Sequence, residues 1–138
     1  MEKITLVAGC AIFVVLGAMH LWLTFFGTSF EPREAKLADD MKRVNPVLTR
    51  QTTMWKAWVG FNASHSLGAI LFGAVYIVIA LENYSYLRTS IALNVMLLSF
   101  PLAYLALAIK YWFSKPRTGV LLASVLILLS MILRMFAQ

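Results

Sequence analysis

Two imidazoles stand in apolar surroundings in this chain. His20 lies near the end of a long uncharged run. His65 lies in the octapeptide FNASHSLG, Phe61 to Gly68, where Asn62, Ser64, His65 and Ser66 place four hydrogen-bonding side chains within five positions. A neutral imidazole is a common metal and haem ligand, and near neutral pH it can also take up or release a proton. A carboxamide such as that of Asn62 can accept the ring N–H that orients a ligating histidine. Tyr104 and Ser124 add hydroxyls to the candidate set.

Three readings of these groups compete. In the first they hydrogen-bond to one another and fix helix register, a role worth on average ~0.6 kcal/mol per pair between membrane helices. In the second, His20 and His65 bind haem b or a metal from facing helices, as bundle cores can, and the protein carries electrons. In the third, His20, Asn62, His65, Tyr104 and Ser124 line a pocket for a lipid, a quinone or another hydrophobic small molecule, with His65 donating to its polar group. Catalysis on a lipid-like substrate is a variant of this third reading. The balance is against an enzyme: the apolar runs hold no Asp or Glu, and Glu82 sits at an outer edge. A histidine alone supplies no set of nucleophile, base and orienting group. Glycine-rich phosphate loops, CxxC and HExxH are absent from the sequence. Nothing indicates an ion path either, since the runs carry no internal charge and no repeat.

The elements that position these residues follow from composition. Of 138 residues, 61% are hydrophobic and 13% charged, about half the charged share of a soluble domain. Apolar stretches at about 4–26, 57–81, 87–112 and 119–136 are each long enough to cross a bilayer. The expectation is an all-α, four-helix transmembrane bundle forming one integral membrane domain over 1–138. The first run continues to Phe26, too long for the apolar region of a cleaved signal peptide. Pro101 falls within the third span, and Lys110 and Arg134 lie near span ends, where long side chains can reach the headgroups. The net charge of +6 does not signal nucleic acid, because no basic, aromatic-interleaved module is present. Nine of the 12 basic residues fall in or beside the connections at about 27–56 and 113–118. Both connections are therefore expected in the cytoplasm, with both termini on the non-cytoplasmic side. Trp22, Trp55, Trp58 and Trp112 gather on the same basic side, as an interfacial belt would. The single cysteine, Cys10, leaves the redox compartment unread.

In the 27–56 connection, Ser29 can cap a short amphipathic helix, with Pro32 in its first turn and Lys42 and Arg43 in its last. Leu37, Met41 and Val44 share a face that can lie on the membrane or dock beneath the helices. On the second span, Gly60, Ser64 and Gly68 repeat small residues every four positions, a pattern for close helix packing. His20 lies ~9 Å from the end of its span, and His65 ~12 Å into the next from the same side. Tyr104 and Ser124 fall at a similar depth, so the expectation is one polar layer in the cytoplasmic half.

With His20-Leu21-Trp22, the FNASHSLG segment resembles a family of small, uncharacterised bacterial four-helix membrane proteins that carries an F-N-x-S-H-S-x-G core in its second helix. The resemblance implies four spans and a bacterial inner membrane, and it brings no activity or cofactor. A fainter likeness to sterol-isomerase-like membrane proteins stops at the intramembrane carboxylates, which this chain lacks. The leading expectation is a non-enzymatic protein of the lipid bilayer. It would bind a hydrophobic molecule or serve as a small subunit of a larger membrane complex or homo-oligomer.

Overall fold

The computed structural model describes residues 1–136. Six helices follow in order: α1 (Glu2–Phe26), α2 (Ala35–Arg43), α3 (Met54–Glu82), α4 (Tyr84–Thr89), α5 (Ile91–Tyr111) and α6 (Ser114–Phe136). No strand occurs among the described residues. α1, α3, α5 and α6 are long and apolar enough to cross a membrane, each reaching about 30 Å or more at helical rise. Ile4, Val15, Phe61, Leu71, Val78, Ile109 and Leu128 are among many large apolar side chains left exposed. In water such a surface would drive association, whereas lipid tails are as apolar as the side chains themselves. These are the helices of an integral membrane protein.

Three boundaries differ from the sequence expectation. The third apolar run is not one helix from Leu87, because the chain breaks at Ser90, with φ −76° and ψ 107°. The Ser90 hydroxyl accepts from Leu93 N–H at 3.3 Å and starts α5. Asn83 likewise caps the separate α4, its Oδ1 accepting from Tyr86 N–H at 3.1 Å. The fourth span begins earlier than expected, at Ser114, so Lys115 and Arg117 are helical and little remains of the 113–118 connection. Pro116 permits this because a first-turn residue has no intrahelical use for its N–H. In the 27–56 connection the short helix starts at Ala35 rather than after Ser29, and Glu34 at its N-cap makes no side-chain cap bond. No residue of α2 is fully buried; on its apolar face Leu37 is half exposed and Met41 partly buried, and Lys42 lies over the Trp55 ring at 5.7 Å.

The chain packs as two compact units: Met1–Leu16 with the chain from Ala69 onward, and Gly17–Gly68. α1 and α3 contribute residues to both. The first unit is built around Phe13 of α1. Its ring meets Phe72 of α3 and Phe100 and Tyr104 of α5 edge-on, at centroid distances of 5.3, 5.7 and 5.9 Å. Phe72 and Phe100 stack at 4.1 Å, and Phe100 and Tyr104 at 4.4 Å. Aromatic pairs in these geometries each add ~0.5–1.5 kcal/mol beyond burial. Tyr76 is anchored by its hydroxyl, which donates to Leu93 O at 2.8 Å.

Small residues set the helix approach in this unit. A Cβ at Gly73 would run into the carbonyl oxygen of Cys10, a backbone atom that cannot swing aside. Gly60 behaves oppositely: a Cβ there meets nothing within 4 Å. Ser64 is exposed and turns its hydroxyl back to Phe61 O at 3.0 Å. The expected packing role of Gly60 and Ser64 is therefore not realised within the chain; Gly68 is half-buried. The four-residue spacing marks a smooth face without saying what faces it.

Candidate functional site

The second unit brings three of the five candidate side chains together. On α3, Asn62 is only 7% exposed. Its Nδ2 donates to Trp58 O, one turn earlier, at 2.8 Å. A carbonyl oxygen only accepts, so this bond fixes the amide's orientation and leaves Oδ1 as the acceptor. Oδ1 lies 3.0 Å from Nε2 of His20 on α1. Nε2 of His20 therefore carries the proton, and in the neutral ring Nδ1 holds the lone pair. His65, three residues beyond Asn62, presents its ring edge-on to His20, with centroids 5.5 Å apart.

Backbone bonds steady each participant. Ser66 Oγ donates to Asn62 O at 2.8 Å, and Thr24 Oγ1 to His20 O at 2.8 Å. Both are i to i−4 contacts that keep a hydroxyl satisfied without water. The loop after α1 then folds back over the pair. Phe30 packs on the His20 ring with centroids 4.4 Å apart, and its carbonyl accepts from Trp58 Nε1–H at 3.1 Å. The run His20–Asn62–Trp58–Phe30–His20 thus closes on itself through four side chains and the backbone carbonyls of Trp58 and Phe30. Beyond Phe30 the loop is held by Asn45, whose Nδ2 donates to Thr52 O at 2.6 Å, and by Met54 N–H to Val44 O at 2.9 Å.

A partly open cavity of about 240 Å³ adjoins this ring of contacts. Phe25, Phe30, Trp55 and Trp58 supply aromatic walls, and Thr24, Asn62 and Glu31 supply polar groups. Phe30 carries no signal in the sequence, and Glu31, whose place beside Ser29 suits the first turn of a short helix, lies instead in the loop before Ala35. Helical spacing in the sequence places Trp58 on one face with Asn62 and His65 as well as in the interfacial belt, but gives no sign of its bond to Phe30 O.

Tyr104 and Ser124 belong to the first unit. Ser124 is 9% exposed and donates to Val120 O at 2.8 Å, a bond within its own helix. Tyr104 lies in the aromatic stack on Phe100, with Trp112 edge-on at 5.9 Å.

The donor set fits haem b poorly. With Nε2 of His20 engaged by Asn62, iron would have to meet Nδ1, beside the carbon that carries the side chain's own methylene. A flat macrocycle at that nitrogen runs into the helix. A small ion bound by two imidazoles at ~2.0–2.1 Å would still need further ligands. Among the described residues no cluster of three His, Cys, Asp or Glu side chains supplies them. What the arrangement can do is hold a polar group: the Asn62 amide, oriented by His20 and Trp58 O, and the Glu31 carboxylate stand at an aromatic hollow. Comparison with protein-family models, with curated proteins and with solved structures finds no match to this chain.

Proposed function

We propose that this protein is a non-enzymatic membrane protein that binds a small hydrophobic molecule by its polar end, in the hollow framed by Trp55, Trp58, Phe30 and Asn62. The observation that carries the reading is the closed run from His20 through Asn62 and Trp58 to Phe30. It rigidifies one wall of the cavity before any ligand arrives, which lowers the ordering cost of binding. Convergent polar groups on an aromatic lining are the usual make-up of a small-molecule site. Glu31 and the two indole faces favour a head that donates hydrogen bonds or carries positive charge. The acyl or isoprenoid remainder would lie along the exposed apolar faces of the helices.

The basic bias in and beside the two connections supports a cytoplasmic location for this hollow, with both termini outside. The FNASHSLG resemblance supports a bacterial inner membrane. So small an extramembrane portion also suits an accessory subunit of a larger complex, the bound molecule then being shared with the partner.

Native mass spectrometry of the mildly solubilised protein tests the reading. The wild type is expected to carry an adduct of defined mass that is lost in Trp55→Ala and Asn62→Leu. Identical adduct patterns in all three folded proteins would restrict His20 and Asn62 to fixing helix register.

A further inference from the structure

The first unit holds a second polar cluster that the proposed ligand hollow does not use. Arg134, in the last turn of α6, is only 7% exposed. The expectation that it reaches out to the headgroups is overturned: it turns inward, and its Nη1 donates to Asn94 Oδ1 at 2.9 Å. Asn94 cannot flip to offer more, because its Nδ2 already donates to Leu87 O and Ser90 O, both at 2.8 Å. One corner of the guanidinium is thereby fixed. Its other edge, Nε and Nη2, is buried and meets no acceptor. That edge presents two parallel N–H groups, the fork that matches two oxygens of a carboxylate or phosphate.

A cavity of about 250 Å³ adjoins this cluster, lined by Arg88, Asn94, Met131, Arg134 and Met135. Arg88 brings a second guanidinium, loosely attached to Glu2 with Nη1 3.6 Å from Oε1. Among the described residues Glu2 is the carboxylate paired at this cluster, so the two arginines exceed it there by one charge. Glu2 Oε2 and the Tyr84 hydroxyl are buried nearby without a well-aligned hydrogen bond, while Ser130 Oγ donates to Glu2 O at 2.8 Å. Met131 and Met135, one turn apart on α6, give the cavity an apolar, adaptable flank.

We infer that Arg134 and Arg88, with Asn94 as the positioning residue, form a binding site for a phosphate-class oxyanion. The anion would take the Nε–Nη2 edge of Arg134 side-on and draw Arg88 from its loose contact with Glu2. The same chemistry is offered by a free phosphate and by the headgroup of an anionic lipid whose chains run past Met131 and Met135.

The full chain in dodecyl maltoside micelles, which contain no phosphate, allows both sources to be tested. Inorganic phosphate and dihexanoyl phosphatidic acid are titrated separately, with dihexanoylglycerol as the uncharged control, and binding is read as the ligand-dependent rise in Tm. A saturable rise is expected with at least one phosphate probe. Because Arg134 is buried, Arg134→Gln puts the fold itself at risk, so the partly exposed Arg88 carries the main variant. Arg88→Gln should weaken binding at least tenfold, and Glu2→Gln, which removes the opposing charge, should tighten it several-fold. Saturation by the lipid alone assigns the site to a headgroup, and equal saturation by inorganic phosphate assigns it to the free anion. No saturable rise with either probe, or unchanged affinity in a folded Arg88→Gln, overturns the proposal. Weaker binding in Glu2→Gln also overturns it, since a carboxylate that aids binding is not competing for the arginines.

Discussion

Asn62 fixes the protonation of His20: with its Nδ2 tied to Trp58 O, its Oδ1 can only accept, and the imidazole nitrogen 3.0 Å away must donate. A polar pair inside apolar helices is thus converted from a tautomeric mixture to one defined state.

Replacing Asn62 by Leu should return His20 to mixed tautomers and leave Nε2–H without an acceptor. The expected loss of stability is about 0.5–1.5 kcal/mol, the worth of one hydrogen bond at a half-buried donor. Nitrogen chemical shifts of the His20 ring report the tautomer, and thermal unfolding in detergent reports the loss. A double-mutant cycle with His20→Ala should give a coupling of at least ~0.5 kcal/mol. Additive effects would mean that the two side chains do not interact.

Trp58→Phe keeps an aromatic wall but removes the Nε1–H that holds Phe30 O. Loss of one such bond should cost about 0.5–1.5 kcal/mol. The effect should be local: amide exchange across 27–34 rises, while protection in α5 and α6 is unchanged. Equal acceleration everywhere would show that the loop is not held at this point.

Gly73→Ala should destabilise by ~1–3 kcal/mol, because the added methyl meets a backbone carbonyl rather than a flexible side-chain tip. Gly60→Ala serves as the matched control and should be close to neutral, since its methyl meets open space. Comparable losses at both positions would contradict the packing described for the first unit.

The phenol of Tyr84, in α4, is pushed above its ordinary pKa, chiefly by burial. The Glu2 carboxylate adds to the rise, and the Arg134 guanidinium and Ser130 oppose it. The folded protein thus retains a proton that the unfolded chain releases above about pH 10. Its contribution is intact below that pH, and stability falls as pH rises from there through the folded-state value. Tyr84→Phe should remove this part of the alkaline loss. At neutral pH its effect should stay within about 1 kcal/mol, because the hydroxyl it deletes is buried beside Glu2 and Ser130 without a well-aligned hydrogen bond. Unfolding curves at pH 8 and pH 11 check both expectations.

Much of this architecture is legible in the chain because lipid imposes a simple length rule. Apolar runs of ~20 residues must be helices, since no other open structure satisfies its backbone there. Polar residues interrupting such a run also stand out, which is how His20, Asn62 and His65 are found together. What fails is anything decided by a contact remote in sequence. Trp58 Nε1 reaches Phe30 O across 28 residues, and no local pattern in the loop anticipates it. Ser90 caps Leu93 and starts α5, so Leu87, whose hydropathy joins it to the run that follows, falls in a separate short helix. Arg134 reads as a headgroup anchor until Asn94, 40 residues away, gives it a partner inside. The small-residue stripe misleads for the same reason. Gly60 and Ser64 have the spacing for packing, yet a Cβ at Gly60 meets nothing among the described residues and Ser64 is exposed, whereas Gly73, outside that stripe, is where backbones meet.

The central claim, a small hydrophobic molecule held by its polar end at Asn62 and the indoles, is tested most directly by mapping where such a molecule binds. A long-chain amine bearing a diazirine beside its nitrogen is incorporated with the purified protein, photolysed, and located by peptide sequencing. The account predicts labelling concentrated on Phe25, Phe30, Trp55 and Trp58, suppressed by excess unlabelled amine and lost in Asn62→Leu. Labelling spread over the lipid-facing surfaces of α1, α3, α5 and α6, indifferent to competitor and to the substitution, would contradict it.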